Sequence, residues 1–330
     1  MASGPFAIVR ARSYEDASQV VRGGSYRLPV LKAGGMDVVD HLKEGLLDPD
    51  ALVNIKGAGG ARGRAIDWDG PARDRIRIGA EATLSDIASS ALVREHAPAM
   101  AYAAESAATP QVRNVATAAG NLLQRPRCWY YRNQQFHCLK KGGSTCYAAE
   151  GENKYHAIFG GGPCHIVHPS NIAVPLVAMN GEARLVGGDR ASVSAADLFH
   201  MPRTDLLTEH TLGAGEVISE IVFDAAPKSG FEAVKEKQSF DWPLVFAVAA
   251  LKMDGDRIGE ARICAGAVAP TPWPLPRVAE ALRGVRAGDR AALDAACARS
   301  VEGADPMSQN RYKLRLLPVA VRRAVERAIG

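Results

Sequence analysis

Hydrophobic and polar positions change period several times along the chain, and each period selects an element. Ser13 followed by Asp16 forms a capping arrangement, which predicts an amphipathic helix through Ala17, Val20 and Val21. Leu28-Pro29-Val30-Leu31 is a short apolar run of the kind a buried strand shows. It breaks at Lys32-Ala33-Gly34-Gly35-Met36-Asp37 and resumes with helical spacing through Val38, Val39, Leu42 and Leu46. Leu52-Val53-Asn54-Ile55 is the next strand candidate, so the order strand, glycine turn, helix, strand predicts a parallel βαβ unit.

From Asp67 the pattern changes. Arg75-Ile76-Arg77-Ile78 alternates charge with apolar residues, as a half-exposed strand does. Thr83 or Ser85 caps a helix running toward Leu92, and an alanine-rich helix follows over Ala99 to Ala108. Residues Arg125 to Cys164 have no sustained period; they are rich in glycine and carry Trp129, Tyr130, Tyr131 and Phe136. A structureless stretch of that length inside a compact domain needs something to pin it. Regular structure resumes at Ile172–Met179 and Ala183–Val186, with alternation near Ala191-Ser192-Val193. After the linker-like Asp224-Ala225-Ala226-Pro227-Lys228-Ser229-Gly230, strands are expected at Val245–Leu251 and Arg257–Val268. Helices are expected at Ala279–Leu282, Arg290–Arg299 and Tyr312–Ile329.

A chain of 330 residues with this punctuation divides into two or three domains, and it is long enough to fold without disulfides. The net charge of +4 is spread out, which argues against a nucleic-acid partner. No run approaches the roughly 20 apolar residues that span a bilayer, and no basic segment followed by an apolar run marks a signal peptide. The expectation is a soluble protein without membrane insertion. It would be cytoplasmic, or periplasmic if co-exported with a signal-bearing partner subunit.

Three constellations carry chemistry. In the Gly34-Gly35 loop, paired glycines after a strand let backbone N–H groups approach a pyrophosphate, and the following helix N-terminus adds positive potential. The same turn is also common as pure structure, and it lacks the dinucleotide fingerprint of NAD domains. Gly57-Ala58-Gly59-Gly60 is a rival loop that reads mainly as a turn. The second constellation runs from Thr109 to Leu122 and gathers hydroxyls, amides and small residues; Thr117 and Asn121 have the groups to donate to phosphate or flavin oxygens. A polar turn is an equally good reading of its composition.

The third is cysteine. Four of the six cysteines, Cys128, Cys138, Cys146 and Cys164, follow the spacing C-x9-C-x7-C-x17-C, while Cys264 and Cys297 stand apart as small apolar residues. Four thiolates from one aperiodic loop suit a [4Fe–4S] cube, with nearby Arg and Lys offsetting its charge. Structural zinc is the competing assignment, although no close CxxC pair is present. His137, His156, His165 and His168 flank the set and read as packing or hydrogen-bonding residues.

Leu31 to Val38, followed by Arg113-Asn114-Val115-Ala116-Thr117-Ala118-Ala119-Gly120-Asn121, resembles the FAD subunits of the xanthine dehydrogenase and carbon monoxide dehydrogenase family. The resemblance covers nearly the whole chain. It implies an α+β protein: a vanillyl-alcohol-oxidase-type (PCMH-type) FAD-binding domain of two α/β subdomains, then a C-terminal α+β domain of carbon monoxide dehydrogenase flavoprotein type. The corresponding divisions are residues 1–60, 61–224 with a cysteine-bearing insertion at about 125–165, and 225–330.

Carried over by position, Leu31, Lys32, Ala33, Gly34, Gly35, Met36, Asp37 and Val38 hold the FAD diphosphate, with Thr109, Thr117, Gly120 and Asn121 supporting diphosphate and flavin. Asn171, in Pro169-Ser170-Asn171, stands where the family usually has Asp, and so keeps hydrogen bonding without the charge. Lys237 falls where the family places a lysine near the flavin, and Ile218 at an apolar contact position. The insertion resembles two subgroups with an extra [4Fe–4S] cluster on the flavin subunit, periplasmic-type aldehyde oxidoreductases and 4-hydroxybenzoyl-CoA reductases. Cys128-Trp129-Tyr130-Tyr131-Arg132 looks more like the former. The resemblance implies an electron-transfer subunit with no catalytic residue of its own. It would take electrons from [2Fe–2S] clusters on a small subunit, fed by a molybdopterin large subunit, and pass them through FAD to an external acceptor. A zinc-stabilised binding protein and a freestanding FAD oxidase are the readings it competes with.

Overall fold

The computed structural model describes residues 4–237 and 240–330. Three sheets organise the chain. In the first, Ala51–Asn54 lies between Ala7–Arg10 and Pro29–Lys32, and all pairings are parallel. Helices Tyr14–Arg22 and Met36–Lys43 make the crossovers, so the expected βαβ unit is present. Ser13 caps the first helix by accepting the Asp16 N–H. The strand Ala7–Arg10 carries no periodic signal, because Ile8 points outward and is 71% exposed.

The second sheet is antiparallel, in the order Ile66–Trp68, Arg75–Gly79, Val217–Asp224, Glu182–Val186, Ser192–Ser194. The Arg75–Gly79 strand is more buried than its alternation implies. Arg77 is tucked between Asp67 at 2.6 Å and Glu220 at 3.3 Å, and this pairing on both sides makes burial of a guanidinium tolerable. Against this sheet pack short helices, including Ala118–Leu122 and Ala195–Leu198. The helix expected from Thr83 to Leu92 is broken in two. Thr83 and Asp86 form a reciprocal capping box over Leu84–Ser89, and Ser90 restarts the chain as Ala91–His96.

The third sheet is antiparallel in the order Trp273–Pro274, Arg257–Gly266, Pro243–Asp254, Ser229–Lys235. The closing helix Lys313–Ile329 lies across strands Pro243–Asp254 and Ser229–Lys235, burying Leu317, Ala320, Val321, Ala324 and Val325. It comes so close that a Cβ on Gly230 would meet the Ala324 carbonyl oxygen at 2.1 Å. Cys264 and Cys297 are buried in the two apolar cores, as their isolation in sequence suggests. No helix among the described residues is long and apolar enough to cross a membrane.

Residues 125–164 hold only the helical turns Trp129–Arg132 and Leu139–Lys141. Polar side chains pin this segment from three sides. Arg132 reaches Asp37 and Glu44 beside the glycine loop. Lys140, almost fully buried, donates to the carbonyls of Leu206 and Thr208 and pairs with Glu209. On the C-terminal side, the fully buried Asn310 donates to the His156 and Ala157 carbonyls, and Lys313 donates to those of Tyr155, His156 and Ala267. Four cysteines therefore explain only part of its order.

Candidate functional site: a glycine loop, a cleft and a thiol pocket

The glycine loop follows strand Pro29–Lys32, with Gly35 in left-handed conformation at φ 83°. No side chain caps the helix Met36–Lys43, so its first N–H groups are left for a ligand. A Cβ on Gly34 would meet the Val115 carbonyl oxygen at 2.1 Å, which shows how closely the first constellation abuts the second. The second is fixed in turn by the Leu84 N–H donating to the Ala116 carbonyl and the Ala118 N–H to that of Ala82. Thr109 and Thr117 are helix N-caps whose hydroxyl oxygens accept the N–H groups of Val112 and Gly120. Their hydroxyl protons remain to donate. The rival loop is already served by protein: the buried Glu81 carboxylate accepts the N–H groups of Gly57 and Gly59.

The Asp37 carboxylate is engaged by protein groups. It accepts the Arg125 N–H at 2.8 Å, pairs with Arg132 at 2.8 Å and with Arg127 at 3.0 Å. Although burial opposes it, the Arg127 charge, the Arg125 N–H and Arg132 together hold its carboxyl below the usual range. Buried Asn121 accepts the Ser170 hydroxyl at 2.6 Å, bringing the second constellation against Pro169-Ser170-Asn171. Asn171 is buried too, and its Nδ2 has no hydrogen-bond partner among the described residues. An orphaned amide donor beside two flavin-type motifs fits a polar ligand.

Arg127 leads from the glycine loop into a cleft of about 280 Å³. Its walls are aromatic and polar: Trp129, Tyr155, His156, His168, Asp241 and Trp242, with the Arg127 guanidinium 5.1 Å from the Trp242 ring centre. Of the positions carried over from sequence, Lys237 is exposed and does not line the cleft, whereas its neighbour Glu236 does. Ile218 is buried in the first apolar core. The cleft-lining aromatics escaped the sequence reading. Trp129 stands in a stretch with no period, among the aromatics around the cysteines, and Asp241-Trp242 sits four residues beyond Lys237 without a period to flag it.

Beyond the cleft, all four clustered cysteines line one small pocket of about 20 Å³, together with Tyr130, Tyr131, Lys140, Tyr147 and His156. Cys128, His156 and Ile166 line both spaces and form the wall between them, with His156 Nε2 3.2 Å from the Cys128 sulfur. A hydrogen bond from Cys164 lowers the Cys146 thiol, while the same bond and burial push Cys164 up. Burial raises Cys128 to about 11. No three His, Cys, Asp or Glu side chains among the described residues are gathered as ligands of a single metal ion.

This architecture can be matched to known proteins. Residues 4–223 match the family model of the FAD binding domain in molybdopterin dehydrogenase, and residues 229–328 that of the CO dehydrogenase flavoprotein C-terminal domain. The chain belongs to the FAD-binding subunits of the molybdenum hydroxylase family. It is 31% identical over 299 residues to the aldehyde oxidoreductase FAD-binding subunit PaoB of Escherichia coli, covering 88% of this chain and 89% of that one. It is also 24% identical over 296 residues to the glyceraldehyde dehydrogenase medium chain of Sulfolobus acidocaldarius, covering 88% and 85%. Among solved structures, carbon monoxide dehydrogenase from Hydrogenophaga pseudoflava superposes with a TM-score of 0.75 at 23% identity, covering 99% of this chain and 98% of that one. Quinoline 2-oxidoreductase from Pseudomonas putida gives 0.76 at 20% identity, covering 100% and 98%. These structural likenesses establish the α+β fold expected from the sequence.

Proposed function

We propose that this chain is the FAD- and [4Fe–4S]-bearing electron-transfer subunit of a molybdenum-containing aldehyde oxidoreductase. The observation that carries the reading is the continuity of three spaces: glycine loop, aromatic cleft and four-cysteine pocket, joined by Arg127 and Cys128. Its partners would be a molybdopterin large subunit and a [2Fe–2S] small subunit, with an external acceptor downstream. The 31% identity to an aldehyde oxidoreductase subunit supports the substrate class. A reductase of the 4-hydroxybenzoyl-CoA type, running electrons the other way, is the alternative that shares the cysteine insertion.

The N–H groups of Gly35 to Val38, with the hydroxyls of Thr109 and Thr117, would hold the diphosphate. Asn121 and Asn171 would hydrogen-bond further along the cofactor, and the cleft would take the ring. FAD supplies the ability to accept electrons singly and release them in pairs. The protein's share is orientation and exclusion of water: Trp129, Tyr155 and Trp242 present flat apolar faces, and Arg127 offsets negative charge at the cleft edge. Cys128, Cys138, Cys146 and Cys164, which line one pocket, would ligate the cluster. A cube distributes its ligands over four irons, so its thiols need not converge on one point.

The test is the complex purified with its copurifying subunits under anaerobic conditions. Addition of an aldehyde should bleach the flavin absorbance within the complex and leave the isolated chain unchanged. Return of the flavin colour when 4-hydroxybenzoyl-CoA is added to the chemically reduced complex, with no bleaching by aldehyde, would favour the reductase, and bleaching of the isolated chain would favour a freestanding oxidase.

A further inference from the structure

We infer that His168 is a neutral hydrogen-bond donor to the flavin ring, held ready by the Pro169-Ser170-Asn171 loop that also grips Asn121. The inference rests on the reading that the cleft receives the ring. His168 is buried at 4% exposure and lines that cleft. Its Nδ1 accepts the Ser170 N–H at 3.3 Å, so in the neutral ring the proton belongs to Nε2. Nε2 has no partner among the described residues.

Everything around the imidazole fixes its orientation. The His168 N–H donates to the Ala269 carbonyl at 2.9 Å, anchoring the backbone to the C-terminal domain. Phe199 meets the ring edge-on at 4.4 Å between centres. Ser170, which sets the tautomer through its N–H, also donates its hydroxyl to Asn121. One short loop thus joins the amide of the second constellation to a donor on the cleft wall. Burial lowers the His168 pKa to about 4, which keeps the ring uncharged near neutrality.

A neutral donor aimed at a ring heteroatom favours the electron-richer, reduced form without adding a full charge to a buried wall. Removing it should weaken the preference for the reduced ring by about tenfold, about 30 mV for a two-electron couple. Lys237, exposed beyond the cleft, gives no such contact in this structure.

The experiment compares the FAD-loaded full chain with His168→Phe, His168→Gln and Trp242→Ala, reading the flavin midpoint potential and the flavin absorption band. His168→Phe should lower the potential, and His168→Gln, whose amide nitrogen can stand near Nε2, should restore most of it. Should His168→Phe fail to fold, His168→Met takes its place. If Trp242→Ala alters the flavin band while removal of the imidazole leaves the potential unchanged, the His168 assignment is wrong and the cleft reading stands. If neither Trp242→Ala nor any His168 variant alters band or potential, the ring is not in this cleft and both fall.

Discussion

Asp37 and Arg132 form a 2.8 Å ion pair between the first turn of the glycine-loop helix and the start of the cysteine segment. The two are separated by 95 residues in sequence. Arg127 shares the same carboxylate oxygen at 3.0 Å, so one acid gathers the cysteine segment against the loop proposed to hold a diphosphate. Without that pairing, a carboxylate at this helix N-terminus would repel a phosphate. With it, the helix keeps its positive end for the ligand.

Asp37→Asn should therefore loosen the segment while leaving the fold in place. The expected cost is about 2 kcal/mol, since two largely buried guanidinium groups lose a charged partner but retain an amide oxygen. Because the native carboxyl lies below its ordinary value, its contribution is full above about pH 4 and is lost as pH falls through the lower folded value. Urea unfolding should show the wild type losing stability more steeply than Asp37→Asn in that acid range.

Gly34→Ala tests the approach of the two constellations. The added Cβ would meet the Val115 carbonyl oxygen at 2.1 Å, so the loops must part. Overpacking of this kind costs about 1–3 kcal/mol, and FAD affinity should fall about tenfold or more. Fluorescence titration of the FAD-free protein measures it, and an unchanged affinity would separate the glycine loop from the cofactor.

Lys313→Met removes the ammonium that donates to the carbonyls of Tyr155, His156 and Ala267. Those buried acceptors are then short of a partner, at a cost of about 2–4 kcal/mol. Because Lys313 holds the segment bearing His156, proteolysis within residues 125–164 should quicken. Limited digestion followed by mass spectrometry locates the cuts.

Acid sensitivity above pH 4 should come from buried histidine. Burial lowers His41 to about 4, despite the opposing pull of Asp37. Its ordinary value is about 6.5, so the unfolded chain binds the extra proton between those two values and stability falls as pH drops through that window. His41→Gln should flatten the decline in the urea midpoint between pH 6.5 and pH 4. An identical slope would place the sensitivity elsewhere.

Much of this arrangement was legible in sequence because its signals are local. The Gly34-Gly35 turn, the parallel βαβ unit and the cysteine spacing each lie within one continuous stretch. What was not legible is non-local. The Asp37 side chain pairs with Arg127 and Arg132, far along the chain, and no local pattern announces those pairings. The cleft wall combines Trp129, His168 and Trp242 from separate segments, and none of them carries a period. Ile218 illustrates the reverse: its strand placement buries it in a core that sequence position alone did not reveal.

The proposed arrangement puts a flavin and a four-cysteine cluster on the two sides of Cys128. The most direct test is the flavin and iron content of the anaerobically purified full chain, measured for the wild type and Cys138→Ser. The account predicts about one flavin and four irons per wild-type chain, with the variant losing iron and keeping most of its flavin. A flavin-loaded wild type whose iron is absent, or replaced by zinc, would contradict it.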